Sequence, residues 1–135
     1  MTIDEQIHAF LNCEAFAVAG ASTNRDKYGN KVLRCYLQQN KTVYPINPRA
    51  KEIEGIPCFP DIASLPKTSL GLSIITPPKI TNQVVEDAIH VGIKHIWMQP
   101  GAESREAIEL CKQHNINVIY GGACLLVVLR YRESF

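Results

Sequence analysis

The sequence predicts a three-layer α/β/α fold, a parallel sheet of five or six strands covered by helices on both faces, and two observations carry that expectation. Short apolar runs bounded by glycine, proline or asparagine recur along the chain, the pattern of strands buried on both faces. Between them lie stretches with apolar residues at helical spacing, and strands alternating with helices of about 10–15 residues build parallel βαβ units. Right-handed crossovers then make a doubly wound, Rossmann-like sheet the economical arrangement.

The elements follow in order. Thr2-Ile3-Asp4-Glu5 reads as a capping box ahead of Ile3, Ile7, Phe10 and Leu11, so a short helix should end near Asn12. Residues 16–20 form a buried strand stopping at glycine. Val32, Leu33, Tyr36 and Leu37 mark one face of the next helix, and residues 42–46 are a second strand halted by Asn47-Pro48. Pro57, Pro60 and Pro66 break residues 49–68, which leaves room for turns or a short helix from Asp61. Residues 71–76 are a third strand, ended by Pro77-Pro78. Ile80, Val84, Ala88 and Ile89 then make a helical stripe closed by Gly92 as C-cap. Residues 95–98 are a fourth strand, Ser104 caps a helix carrying Ala107, Ile108 and Cys111, and residues 117–120 are a fifth strand. The apolar stretch 125–129 fits a sixth strand, a buried helix or a dimer contact. No repeat or linker interrupts the chain, and one domain spanning residues 1–135 is expected.

A formal net charge of +1, with 20% charged residues, offers no field that would draw nucleic acid or an anionic membrane. The amino end lacks a signal-peptide profile, and the longest apolar run, residues 123–129, falls far short of the roughly 18–20 residues of a membrane span. A soluble, cytoplasmic protein is expected. Five cysteines with no C-x-x-C pair and no histidine at zinc spacing imply reduced thiols packing as small hydrophobes, and no metal site.

In an open parallel sheet, ligands bind beyond the carboxyl ends of the strands. The segments there hold Gly20-Ala21-Ser22 through Arg25, Lys27, Tyr28 and Gly29; Asn47-Pro48-Arg49 with Lys51; Thr76-Pro77-Pro78-Lys79; Gln99-Pro100-Gly101; and Gly121-Gly122-Ala123-Cys124. Together they are rich in glycine, hydroxyls and cations and poor in carboxylates, as a phosphate site would be. A glycine directly after the first strand lets backbone amides approach a phosphate, and the next helix turns its positive end on the same spot. Arg25, Lys27 and Lys31 gather there against the dipole with Asp26 alone opposing them, which a bound polyanion would explain; solvated loop charges are the alternative. The loop is not the G-x-G-x-x-G of dinucleotide enzymes, since Gly20 is followed next by Gly29. At the end of the second strand an NAD site wants a carboxylate for the ribose 2′-hydroxyl, but Asn47, Pro48 and Arg49 stand there, with Glu52 the nearest acid. Cations suit a ribose phosphate, either that of NADP or the 3′-phosphate of coenzyme A.

Taken in order, Val18-Ala19-Gly20-Ala21-Ser22, Lys27-Tyr28-Gly29-Asn30, Val43 through Arg49, Thr76-Pro77-Pro78, Ala88 through Gly92 and Ile96-Trp97-Met98-Gln99-Pro100-Gly101-Ala102 give a pattern that resembles the small bacterial CoA-binding domain proteins. These are similar to the amino-terminal domain of the succinyl-CoA synthetase alpha subunit. The resemblance covers roughly residues 10–125 and implies coenzyme A as ligand, lying across the sheet edge. It places the phosphates at Gly20, Ala21 and Ser22, flanked by Arg25, Lys27 and Tyr28, with Asn47, Pro48 and Arg49 at the ADP portion. Thr76, Pro77, Pro78, Gln99 and Gly101 would line the pantetheine route. The synthetase subunit continues into a domain bearing a phosphorylated histidine, which these 135 residues lack, and its Gly-Pro-Asn-Cys pattern stands here as Gly121-Gly122-Ala123-Cys124. Both departures put ligase activity in doubt.

Catalytic residues are not expected. His8, His90, His95 and His114 all lie within predicted helices or strands rather than at the strand ends. Cys124 reads as a buried structural cysteine, with exchange against the coenzyme thiol as the alternative. Tyr28 either stacks on adenine or packs on the helix. The leading expectation is a CoA or acyl-CoA binder without catalysis of its own, as a homo-oligomer or beside a partner enzyme. An NADP-dependent oxidoreductase, one subunit of a split acyl-CoA synthetase and a purely structural interaction domain are the rivals.

Overall fold

The structure, a computed structural model, describes residues 1–133. The chain runs α1 (Ile3–Leu11), β1 (Ala15–Ala19), α2 (Tyr28–Gln38), β2 (Thr42–Ile46), the short strands β3 (Glu52–Ile53) and β4 (Ile56–Pro57), β5 (Gly71–Ile74), α3 (Pro78–His90), β6 (His95–Met98), α4 (Arg105–Gln113), β7 (Asn117–Ile119) and α5 (Leu125–Val128). Five strands form one parallel sheet in the order β2-β1-β5-β6-β7. Chain order therefore reverses between β1 and β5, where connections leave toward opposite faces and open a crevice at the carboxyl ends. This is the Rossmann-like three-layer arrangement, with five strands rather than six.

Strand composition explains the burial. Ala15–Ala19 and Gly71–Ile74 are buried at every position because helices cover both faces. On one face Phe16 stacks on Tyr36 with ring centroids 4.7 Å apart, and Phe10 of α1 meets Trp97 edge-on at 5.4 Å. On the other, Val85, Ala88, Ala107 and Cys111 of α3 and α4 close over Leu72, Ile74 and Ile96. Burial pushes the thiol of Cys111 up to about 12 and that of Cys35 up to about 11, so both pack as protonated hydrophobes.

The capping box at Thr2 and Glu5 forms as expected, as does the Ser104 cap of α4. Two expectations need correction, and the alternatives for residues 125–129 resolve to a helix. Residues 49–68 hold the expected short helix, one 3₁₀ turn over Ile62–Ser64 capped by Asp61, but also a hairpin, β3–β4, that sequence reading missed: two-residue strands are too short to show alternation, and the Glu54-Gly55 turn has φ of 52° and 78°. The buried face of α3 is Thr81, Val85 and Ala88, whereas Ile80 is 53% exposed. Its first turn stands over the crevice instead of the sheet, and Thr81 is tolerated inside because its hydroxyl pairs with Thr76 and the Ala102 carbonyl oxygen, each at 2.8 Å. The carboxyl-terminal stretch is a single turn of helix in which Leu125 is buried and Val127 stands 76% exposed. Among the described residues, no helix is long and apolar enough to cross a membrane.

Candidate functional site

The crevice is built around two glycines. Gly20 leaves β1 at φ +94°, and a Cβ there would stand 2.3 Å from the Ile75 carbonyl oxygen; a Cβ on Gly29 would stand 2.0 Å from the carbonyl oxygen of Gly20. The β1 and β5 ends and the first turn of α2 therefore meet more tightly than any side chain permits. That contact brings the amino end of α2 to the carboxyl edge of the sheet. Lys27, its N-cap, makes no capping side-chain hydrogen bond, and the first turn contains no acid. Pro77 at the N-cap of α3 is alike in both respects, with Pro78 fitting the first helical position. Two helix amino ends, neither with an acid in its own first turn, thus turn positive potential toward the crevice.

Beside Gly20 lies a cavity of about 360 Å³, lined by Gly20, Ala21, Asn47, Pro48 and Thr76 together with Ile62, Ile80, Val84, Asp61 and Asp87. It sits where the strand order reverses. Asn47 ties its rim together: Nδ2 donates to the Ala21 carbonyl oxygen at 2.9 Å, while Oδ1 accepts from the backbone of Arg49 at 2.8 Å and Ala50 at 3.0 Å. Its side chain is occupied in joining the β1 and β2 loops, and Pro48 and Arg49 beside it are exposed.

The expected cationic loop is less bare than its sequence. Arg25 forms an ion pair with Glu54 of the β3–β4 turn, and Lys31 is held by Glu133 at 2.7 Å. Asn30 Nδ2 donates to the Ser22 carbonyl oxygen at 2.9 Å and to Glu54 at 3.2 Å; buried Arg34 donates to Asn30 Oδ1 and to the Arg25 carbonyl oxygen, both at 2.7 Å. Asp26 is therefore not the sole opposing acid. Lys27 is exposed at the head of α2.

Tyr28 and Gln99 fall on the other face of the sheet. Tyr28 packs in the core beneath α2 and α5, where its hydroxyl donates to Gln99 Oε1 at 3.0 Å and lies 2.7 Å from Cys124 Sγ. Burial raises the Tyr28 pKa and the bond to Cys124 adds to the rise, so the phenol stays protonated and able to donate. Gln99 is fully buried, and its Oε1 also accepts from the Leu125 N–H at 2.9 Å, so it acts on the edge only through Tyr28 and the Cys124 loop. Its Nε2 has no partner among the described residues. Cys124 is half-buried, more open than a buried structural cysteine would be. Gly101 is exposed at φ +94°, and its N–H donates to Glu103, whose other oxygen takes the Gly121 N–H at 3.3 Å.

The structure thus brings Gly20, Ala21, Asn47, Pro48 and Thr76 to one cavity, and Tyr28 and Gln99 to a cluster across the edge, with Ser22, Arg25, Lys27 and Gly29 in the loop and helix end between. Pro77 and Pro78 lie exposed at the head of α3. Sequence reading missed Asn30, Arg34, Glu54 and Glu103. A polar pair four residues apart within the apolar face of α2 was the available signal for Asn30 and Arg34; Glu54 and Glu103 act across loops that no local pattern connects.

Known proteins place this geometry. A solved structure of a conserved hypothetical protein from Pyrococcus furiosus superposes with a TM-score of 0.81 at 36% identity, covering 85% of this chain and 98% of that one. The dinucleotide forming acetyl-coenzyme A synthetase 1 of Ca. Korarchaeum cryptofilum, in its apo form, superposes at 0.73 with 27% identity over 82% of this chain and 26% of its own. Acetate–CoA ligase (ADP-forming) I of Archaeoglobus fulgidus is 29% identical over 81% of this chain, which spans 17% of the ligase. The family model described as CoA binding domain matches residues 14–130, from the start of the sheet through the last helix, and the chain belongs to that family.

Proposed function

We propose that the chain, acting as one module over residues 1–135, binds coenzyme A across the carboxyl edge of its sheet and presents the thiol end to a partner, performing no chemistry itself. Gly20, Ala21 and Ser22 receive the diphosphate against the amino end of α2, Gly29 permits the approach, and Arg25 and Lys27 flank it, while the expected flanking role of Tyr28 gives way to its hydrogen bonds with Gln99 and Cys124. Asn47, Pro48 and Arg49 meet the ADP portion, while Thr76, Pro77, Pro78, Gln99 and Gly101 lie along the pantetheine route, Gln99 through the groups it holds.

The cavity of about 360 Å³ beside Gly20 is the observation that carries this reading. It falls within the roughly 300–1,000 Å³ of ligand sites and adjoins a helix end suited to phosphate. Its walls are largely apolar, and its two carboxylates, Asp61 and Asp87, disfavour phosphate inside while accepting from neutral donors. Adenine and ribose suit the interior, and the phosphates suit the Gly20 loop outside it.

Calorimetry with coenzyme A, dephospho-coenzyme A and NADP tests the assignment. Coenzyme A should bind tightest, and Arg49→Ala should narrow its advantage over dephospho-coenzyme A by about tenfold, the worth of one charge-assisted hydrogen bond. Binding of NADP without coenzyme A would overturn the reading in favour of an oxidoreductase. A second reading, one subunit of a split acyl-CoA synthetase, is favoured by similarity to a ligase alpha subunit of Pyrococcus furiosus, of which the chain covers 26%. Copurification of a nucleotide-grasping partner is its test.

A further inference from the structure

We infer that Glu54 is a built-in competitor for the anion received by the β1–α2 loop, and that it sets how strongly this edge holds a diphosphate; the inference rests on the reading proposed above. Glu54 occupies the first central position of the β3–β4 turn at φ 52°, followed by Gly55 at 78°. Such a turn favours asparagine, aspartate or glycine, and a longer side chain adopts the left-handed conformation only against steric resistance. Its carboxylate has a definite task there. One oxygen pairs with Arg25 and the other accepts from Asn30, with the side chain only 19% exposed. Asn30 in turn holds the Ser22 carbonyl oxygen at 2.9 Å, so Glu54 bears on the loop that would receive phosphate.

The first turn of α2 supplies no acid to satisfy its own dipole, and Glu54 reaches in from another element to stand near it. A diphosphate arriving at the Gly20 loop meets a guanidinium already paired and a fixed negative charge close by. It must displace Glu54 or bind against its repulsion. Neutralising Glu54 removes that competition. A carboxylate that merely held Arg25 in the right place for the ligand would have the opposite effect, because its loss would disorder the loop and weaken binding.

The test is calorimetry on wild type, Glu54→Gln, which keeps hydrogen-bonding capacity, and Glu54→Asn, which suits the turn, each checked for an undiminished melting temperature. Probes are coenzyme A, dephospho-coenzyme A and inorganic pyrophosphate at low and high ionic strength. Both variants should bind about three- to tenfold more tightly, equally for the two coenzyme forms because they share the diphosphate, with the gain shrinking at high salt. Unchanged or weaker binding of every probe overturns the inference. If no protein binds either coenzyme form while pyrophosphate still gains, the coenzyme reading fails and the role of Glu54 stands.

Discussion

Alanine is normally the better helix former, by about 1 kcal/mol over glycine. Gly29, in the first turn of α2, should reverse that preference, because its Cβ would stand 2.0 Å from the Gly20 carbonyl oxygen. We expect Gly29→Ala to cost about 3 kcal/mol or more in urea unfolding, since the clash is with backbone that cannot rotate away. A neutral or stabilising result would mean that α2 does not approach Gly20 this closely. Residue by residue, the sequence was informative where backbone freedom was at stake: Gly20 directly after an apolar run announced the end of β1, and it stands there at φ +94°. It was silent on pairing. Arg25 and Lys31 read as part of a cationic cluster opposed by Asp26 alone, yet each has a carboxylate, and the partners Glu54 and Glu133 lie 29 and 102 positions away in the chain.

At the scale of elements, α1 docks on the edge of the sheet through a small polar relay. Gln6 donates to the Val118 carbonyl oxygen at 2.9 Å, while Asn117 Nδ2 donates to the Gln6 carbonyl oxygen at 3.0 Å and lies 3.1 Å from His95 Nδ1. An amide nitrogen cannot accept, so His95 must present Nδ1 as acceptor and carry its proton on Nε2. Burial lowers the His95 pKa below its ordinary 6.5. The folded protein then binds this proton less readily than the unfolded chain, so stability is whole above about pH 6.5 and falls as pH drops through that value toward the folded pKa. The lowered carboxyl groups of Glu5 and Glu133 act in the same direction, but only below their ordinary 4.5, so the interval between belongs to His95. Urea unfolding at pH 7.5 and pH 5 should show a loss that His95→Gln diminishes. An equal loss in the variant would locate the effect elsewhere. Strands and caps were legible because apolar runs and the Thr2 and Ser104 signals are local; the β3–β4 hairpin was not, since two residues per strand carry no periodicity.

For the molecule as a whole, the order β2-β1-β5-β6-β7 puts the crevice over the ends of β1 and β5 and fixes which loops become neighbours. If coenzyme A binds the folded state alone, a concentration one hundred times its dissociation constant should add about 2.7 kcal/mol of stability. For a domain of this size that raises the melting temperature by roughly 5–10 °C. The rise should shrink as salt increases, because phosphates held by the Gly20 loop as proposed would lie on an exposed edge; a salt-independent rise would mean that binding is driven by the apolar cavity. By itself the sequence determined the fold class and which residue types stand at the strand ends, since alternating strand and helix patterns and glycine after a strand are properties of short segments. Only the tertiary structure decided that this edge is divided between a cavity under α3 and a cluster under α2 and α5. It alone showed that acids distant in the chain neutralise part of the cationic loop, because contacts across loops follow from how the chain closes on itself, which no local pattern encodes.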